Sequence, residues 1–205
     1  MRSMLPDKDV CVRKITIPAG RRSIPALVLS PKEKPVQATG VLWLHGGGLC
    51  AAVCIKARDT GAVQVAFQMP LYPMLDDRDT ETSRDNHGKV WNTRRNFFGW
   101  RCYLRGQERQ SLSPYAAPAR LTDFAGLPPA YTFVGDGEPF YAETVRYIEG
   151  LRACGIPAGL DVYHSDMHAF DMMRPKDPMS REAARRFYEA FAYAQTHYFA
   201  PQDTE

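Results

Sequence analysis

Apolar and polar residues alternate along residues 10–18 and again along 24–30, the period of half-buried strands, and Ala19-Gly20-Arg21-Arg22 between them suits a hairpin turn. Residues 40–44 form a short apolar run stopped by glycines, the pattern of a central parallel strand. Residues 49–59 have helical composition and stop at Thr60-Gly61. A second buried strand is expected over 62–71, closed by Tyr72-Pro73. The stretch 76–129 is polar, aromatic and rich in proline, and predicts one helix over 92–104 with Asn92 or Thr93 as its cap. A strand over 130–135 follows. A helix over 141–154 carries Val145, Ile148 and Leu151 on one face and ends at Gly155 and Pro157. The pattern closes with a strand over 160–164 and a helix over 180–198 that turns Phe187, Phe191 and Tyr198 inward.

Strands alternating with helices predict an α/β fold with a mostly parallel sheet. At 205 residues the chain suits one domain, 1–205, with 76–129 as an insertion of loops and one helix between strands. Apolar residues at 44% and charged residues at 24% are ordinary globular values. The net charge of +3 comes from basic residues spread along the chain, without the clustered face that nucleic acid requires. Five cysteines, an odd number with no Cys-x-x-Cys, read as free thiols in a reducing compartment and give no metal spacing. The first eight residues lack the apolar core of a signal peptide, and no apolar run approaches the ~18 residues of a membrane span. A cytoplasmic protein without membrane or nucleic-acid partners is expected.

The run His45-Gly46-Gly47-Gly48 invites two readings. Read forward from Gly40 it is a strand ending in His-Gly-Gly-Gly, a loop that offers main-chain N–H groups to an oxyanion. Read backward from Arg58, Gly-Gly-Gly-Leu-Cys-Ala-Ala-Val is the start of a helix of the kind that follows a nucleophilic serine. Those two pieces normally lie far apart, and here nothing separates them. The run could also be a tight strand-to-helix turn. No phosphate cradle is expected there, because neither Gly-x-Gly-x-x-Gly nor Gly-Lys-Ser/Thr is present.

Six stretches occur in a family order: Leu44-His45-Gly46-Gly47-Gly48, Leu71-Tyr72-Pro73-Met74, Ser113-Pro114-Tyr115-Ala116, Gly126-Leu127-Pro128-Pro129-Ala130, Val134-Gly135-Asp136-Gly137-Glu138-Pro139-Phe140 and His168-Ala169-Phe170. As an ordered set they resemble the α/β-hydrolase fold-3 carboxylesterases of the hormone-sensitive-lipase type, from about residue 10 to the end. The resemblance implies a catalytic Glu138–His168 pair, with Asp136 as the rival acid, and oxyanion-hole amides at Gly46 and Gly47, flanked by the motif residues His45 and Gly48. Histidine suits the role because its protonation changes near neutral pH, and a buried carboxylate fixes its tautomer. The resemblance implies no cofactor and no metal, and a small-molecule ester as substrate. His164 is expected to end a strand, and His87 and His197 to lie on the surface.

No Gly-x-Ser-x-Gly exists in the chain. Aligned with the glycines that follow the serine, the run puts Leu44 at the nucleophile position, and Ser83, Ser111, Ser113, Ser165 and Ser180 lack an elbow signature. Cys50, near the start of a helix, is the one candidate substitute, since a thiol there has its pKa lowered; a small side chain packed in a helix is the plainer reading. The resemblance thus describes a truncated α/β-hydrolase fold. About six strands should form its sheet, with helices on both faces and two central strands missing, and strands 40–44 and 62–71 should become neighbours through a right-handed βαβ crossover. Apolar surface exposed by the loss could be covered in a homodimer. Three functional readings follow: a hydrolase of short-chain acyl esters with little or no activity, a non-catalytic binding or structural remnant, and a hydrolase with Cys50 as nucleophile.

Overall fold

The pattern of alternating side chains in residues 130–135 sends Tyr131 and Phe133 to one face and Ala130 to the other, and this segment organises the larger part of the fold. The computed structural model describes residues 9–19, 22–33, 39–44 and 46–200. The chain divides into two compact units, Met1–Leu42 and Trp43–Glu205.

In the first unit, β1 (Val10–Ala19) and β2 (Arg22–Pro31) form an antiparallel hairpin whose register runs from Val10 opposite Pro31 to Ala19 opposite Arg22. Alternation along both strands accounts for the pairing. Val12, Ile17, Ile24, Leu27 and Leu29 of the hairpin are exposed.

In the second unit, α1 (Gly47–Thr60) is followed by α2 (Thr93–Tyr103), β3 (Ala130–Gly135), α3 (Tyr141–Ala153), β4 (Ala158–Tyr163), α4 (Phe170–Met173) and α5 (Pro178–His197), with single 3₁₀ turns at Arg109–Ser111 and Pro118–Arg120. Strands β3 and β4 pair in parallel, Ala130 opposite Ala158 through Gly135 opposite Tyr163. Helices cover both faces. Ile55 of α1 and Tyr147, Ile148 and Leu151 of α3 pack with Ala130, while Ala183 of α5 and Phe170 pack with Tyr131 and Phe133. The helix ends follow local chemistry. Gly61 closes α1 in the left-handed conformation, and the Asn92 side chain accepts the Arg95 N–H to cap α2. Helix α5 begins two residues before the sequence pattern places it, because Asp177 caps it and Pro178 takes its first position.

Two expected strands are corrected. Residues 40–44 form no strand, and Val41, Leu42 and Trp43 are 63%, 70% and 76% exposed. An apolar run becomes a central strand only with hydrogen-bonded neighbours, and none of the described strands lies beside it. Over 62–71, only Gln68 makes a bridge, parallel to Ala130. The chain there still runs beside β3: the Gln68 N–H donates to Pro129 O, Tyr131 N–H to Gln68 O and Tyr72 N–H to Phe133 O at 3.0, 3.0 and 3.1 Å. Pro70, which has no N–H, interrupts the ladder between them. The α/β class holds, but the described strands number four, in two pairs rather than one sheet of about six, and the expected βαβ crossover is not formed.

Candidate active site

Both chemistry-bearing loops leave the same ends of the two parallel strands, where α/β sheets gather their sites. After β3 the chain turns through Asp136-Gly137-Glu138, and the Glu138 N–H returns to Gly135 O at 3.1 Å. After β4 it runs through His164-Ser165-Asp166-Met167-His168 to Ala169. The two loops are tied by the Gly137 N–H donating to Ser165 O, 3.1 Å, and the Asp136 N–H donating to Tyr163 O, 2.9 Å. A side chain at Gly137 would meet the Asp166 main chain at 3.0 Å, so the glycine permits this approach.

The structure brings Glu138 and His168 together. His168 Nδ1 lies 2.6 Å from Glu138 Oε2, and Glu138, 0% exposed, accepts the Gly135 N–H at its other oxygen, 3.0 Å away. Hydrogen bonding to a carboxylate assigns the ring proton to Nδ1 and leaves Nε2 as the free base. The imidazole stands edge-on to Tyr72 and Phe140, with centroids 4.8 and 5.1 Å away, and tilted against Trp91 at 6.0 Å. Edge-on aromatic contacts of this kind fix the plane of the ring.

Asp136 faces elsewhere. Its carboxylate takes His164 Nδ1 at 2.9 Å and the Ser165 N–H at 3.1 Å. The hydrogen bond from His164 holds the Asp136 carboxyl below the usual range, and the same bond raises His164. His164 stands directly after β4 and is exposed, as are His87 and His197.

Gly46, with φ 111°, caps α1 and Gly47 begins it; the Leu49 N–H of the first turn turns back to Gly46 O at 3.2 Å, and the N–H groups of Gly47 and Gly48 precede any intrahelical acceptor. Gly47 and Gly48 also pack too closely for a side chain: a Cβ would meet Leu71 O at 2.5 Å and Met74 O at 2.1 Å. The helix start therefore abuts 71–74, the segment whose Tyr72 touches His168. His45 lies outside the described residues.

Cys50 is half-buried on α1, with the buried thiol of Cys54 one turn on. Hydrogen bonds from Cys54 and from the Met69 main chain lower Cys50, whereas that partnership and burial push Cys54 up. The five serines serve local structure. Ser83, Ser113 and Ser165 accept the N–H groups of Thr80, Tyr115 and Met167, and Ser111 and Ser180 donate to Glu108 O and Phe170 O. Sequence reasoning missed Trp91, which lies in a stretch without periodicity. It also missed Asp171, whose half-buried carboxyl is raised by burial.

The α/β hydrolase fold family model matches residues 45–172, more than half of the chain and the whole of the site. The chain belongs to the α/β hydrolase fold family. It is 27% identical to esterase LipI of Mycobacterium tuberculosis over 143 residues, 69% of this chain and 45% of that protein. Its structure is similar to that of esterase LipW from Mycobacterium marinum, with a TM-score of 0.68 and 28% identity over 73% of this chain and 47% of the other. It is similar also to a bacterial heroin esterase, with a TM-score of 0.67 and 32% identity over 72% and 48%. The chain thus spans about half the length of each of these hydrolases. Among the described residues, no helix is long and apolar enough to cross a membrane.

Proposed function

We propose that the chain carries the acid–base half of a carboxylic-ester hydrolase site, built for acyl transfer from short-chain esters, and that in this form it has little or no turnover. The observation behind this reading is the 2.6 Å contact between His168 Nδ1 and the fully buried Glu138 carboxylate. A base so held can take a proton at Nε2 and return it, and the carboxylate stabilises the imidazolium between the two steps. The helix start at Gly46-Gly47 offers main-chain donors for an oxyanion. The attacking group is what the 205 residues lack: they hold no Gly-x-Ser-x-Gly, and the glycine run joins half of an oxyanion loop to half of a post-nucleophile helix. Without a nucleophile, oxyanion donors and binding alone give only ~10³–10⁴-fold over water.

Hydrolysis of p-nitrophenyl acetate by purified protein tests this. The expected rate equals that of His168→Ala. Turnover that disappears in His168→Ala would overturn the loss of function. If it disappears in Cys50→Ala as well but survives in Ser113→Ala, the nucleophile is the lowered Cys50 thiol.

A further inference from the structure

The net charge of +3 conceals one unopposed stretch. Between Asp85 and Glu108 the chain carries Lys89, Arg94, Arg95, Arg101 and Arg105 and no acidic residue. Helix α2 lies inside this stretch and divides by face. Asn96 and Trp100 are buried, and Trp100 packs with Leu104, Leu112 and Ala117. The other face turns out Arg94, Phe97, Phe98 and Arg101, neighbours at three- and four-residue spacing. Phe97 and Phe98 are 54% and 68% exposed, and the Arg101 guanidinium stands over the Phe97 ring at 5.6 Å.

The core accounts for the inner face and leaves the outer one unexplained. Two adjacent phenylalanine rings in water contribute nothing to the packing of the fold. The arginines beside them are not held by acids either. Among the described residues, the ion pairs of arginine involve Arg58, Arg78, Arg120, Arg146, Arg185 and Arg186. The cleft beside Phe97 holds Asp77 and Asp79, but Arg78, Arg109 and Arg120 line it too, so the surroundings leave the face basic.

Exposed rings interleaved with arginine match an anionic lipid surface. The guanidiniums meet phosphates, while the rings enter the boundary between headgroups and acyl chains. Single-stranded nucleic acid asks instead for a basic groove with stacking platforms, and these rings stand on the convex side of a helix. The expectation of no membrane partner came from the lack of a spanning run. No helix of the described residues is long and apolar enough to cross a membrane, but lying on one needs only a face.

We propose that the outer face of α2 docks the protein on anionic membrane surfaces, with Arg94 and Arg101 on lipid phosphates and Phe97 and Phe98 in the interface. Another side of the helix reaches the candidate site: a Cβ at Gly99 would meet the Trp91 ring at 3.3 Å, and that ring lies against His168. Docking therefore holds the His168 loop near the lipid, with α2 between them.

The experiment is cosedimentation of the full chain with vesicles of phosphatidylcholine, alone or mixed with phosphatidylglycerol. The protein is expected to sediment with the mixed vesicles at about 0.1 M salt and to be released at about 1 M, where charges are screened beyond ~3 Å. Phosphatidylcholine alone should retain much less. Arg94→Gln/Arg101→Gln should weaken binding about 25-fold, at roughly fivefold for each basic residue near an anionic surface. Phe97→Ser/Phe98→Ser should weaken it about tenfold or more through the lost apolar insertion. Arg181→Gln, an exposed arginine on α5, should bind as the wild type does. No sedimentation of the wild type with the mixed vesicles overturns the proposal, and that result stands even if a variant fails to fold. Equal weakening by Arg181→Gln overturns it too, because net charge rather than this face would be responsible. So does tight binding of a single-stranded oligonucleotide with the mixed vesicles refused. No ester turnover is read, so the outcome is independent of the proposed function.

Discussion

The Asp136 carboxylate is shared by the His164 ring, 2.9 Å from Nδ1, and the Ser165 main-chain N–H at 3.1 Å, so one side chain fastens the loop after β4 three residues before His168. Its effect on pH is signed. His164 is raised by that bond, so its contribution to stability is complete below the ordinary imidazole value of about 6.5 and is lost as pH rises through the folded value. Asp136 is lowered by it, so its contribution is present above about 3.9 and lost as pH falls through the folded value. The tie is therefore complete between these two limits. Asp136→Asn should bring the midpoint of the His164 Cε1–H titration down toward the ordinary imidazole. An unmoved midpoint would mean that the bond is absent in solution.

Glu143 works in the opposite direction. It is 2% exposed in the first turn of α3, where Oε2 accepts the Asp76 N–H at 2.6 Å and Oε1 has no protein partner. Burial first, and then the Asp76 charge, push its carboxyl well above the usual range. Stability is fully present below the unfolded value of about 4.3 and is lost as pH rises through the folded one. Glu143→Gln keeps the acceptor without the charge. Urea unfolding at pH 8 should show the variant more stable by about 1–3 kcal/mol, and at pH 4 no gain. Equal gains at both pH values would contradict the assignment.

Gly47 and Gly48 test whether the glycine run is held by packing. The atoms a Cβ would strike, Leu71 O at 2.5 Å and Met74 O at 2.1 Å, are main chain and cannot swing aside. Overpacking of this kind costs about 1–3 kcal/mol. At roughly 2–4 °C per kcal/mol for a chain of this size, Gly47→Ala and Gly48→Ala should melt about 2–12 °C lower. Gly40→Ala, with nothing within 4 Å, should melt with the wild type. Equal melting of all three would leave the run's glycines to be explained by chemistry alone.

Much of the fold was legible because its signals are local. Asn92 capped its helix, Gly61 and Gly155 stopped theirs, and the apolar run 130–135 became β3. What misled was the demand for partners. Residues 40–44 have a strand's composition, but a strand is a relationship between segments, and here the exposed Trp43 has no neighbouring strand among the described residues. Pro70 was visible in 62–71 and should have demoted that strand. At the candidate site, the Glu138–His168 contact was readable from motif order, whereas Trp91 reaches the imidazole by tertiary folding alone, with no periodicity to announce it. The choice between Asp136 and Glu138 needed geometry: two carboxyls two residues apart face opposite ways, and only Glu138 meets His168.

That geometry makes a last prediction about which ring nitrogen carries the proton. Glu138 accepts at both oxygens, from the Gly135 N–H at 3.0 Å and from His168 Nδ1 at 2.6 Å. Glu138→Gln offers only one acceptor. The Gly135 N–H is buried and cannot turn away, so the amide oxygen must serve it and the amide N–H₂ must face the imidazole. The neutral ring can then accept only at Nδ1, which moves its proton to Nε2 and points the free lone pair inward. Long-range ¹H–¹⁵N spectra should show His168 protonated at Nδ1 in the wild type and at Nε2 in the variant. Glu138→Ala, which leaves the Gly135 N–H without an acceptor, should cost about 1–3 kcal/mol in urea unfolding. Retention of the Nδ1–H tautomer in Glu138→Gln would mean that the amide has flipped and the Gly135 bond is expendable. Glu138 would then hold the His168 ring through charge alone, not through the paired hydrogen bonds seen at its two oxygens.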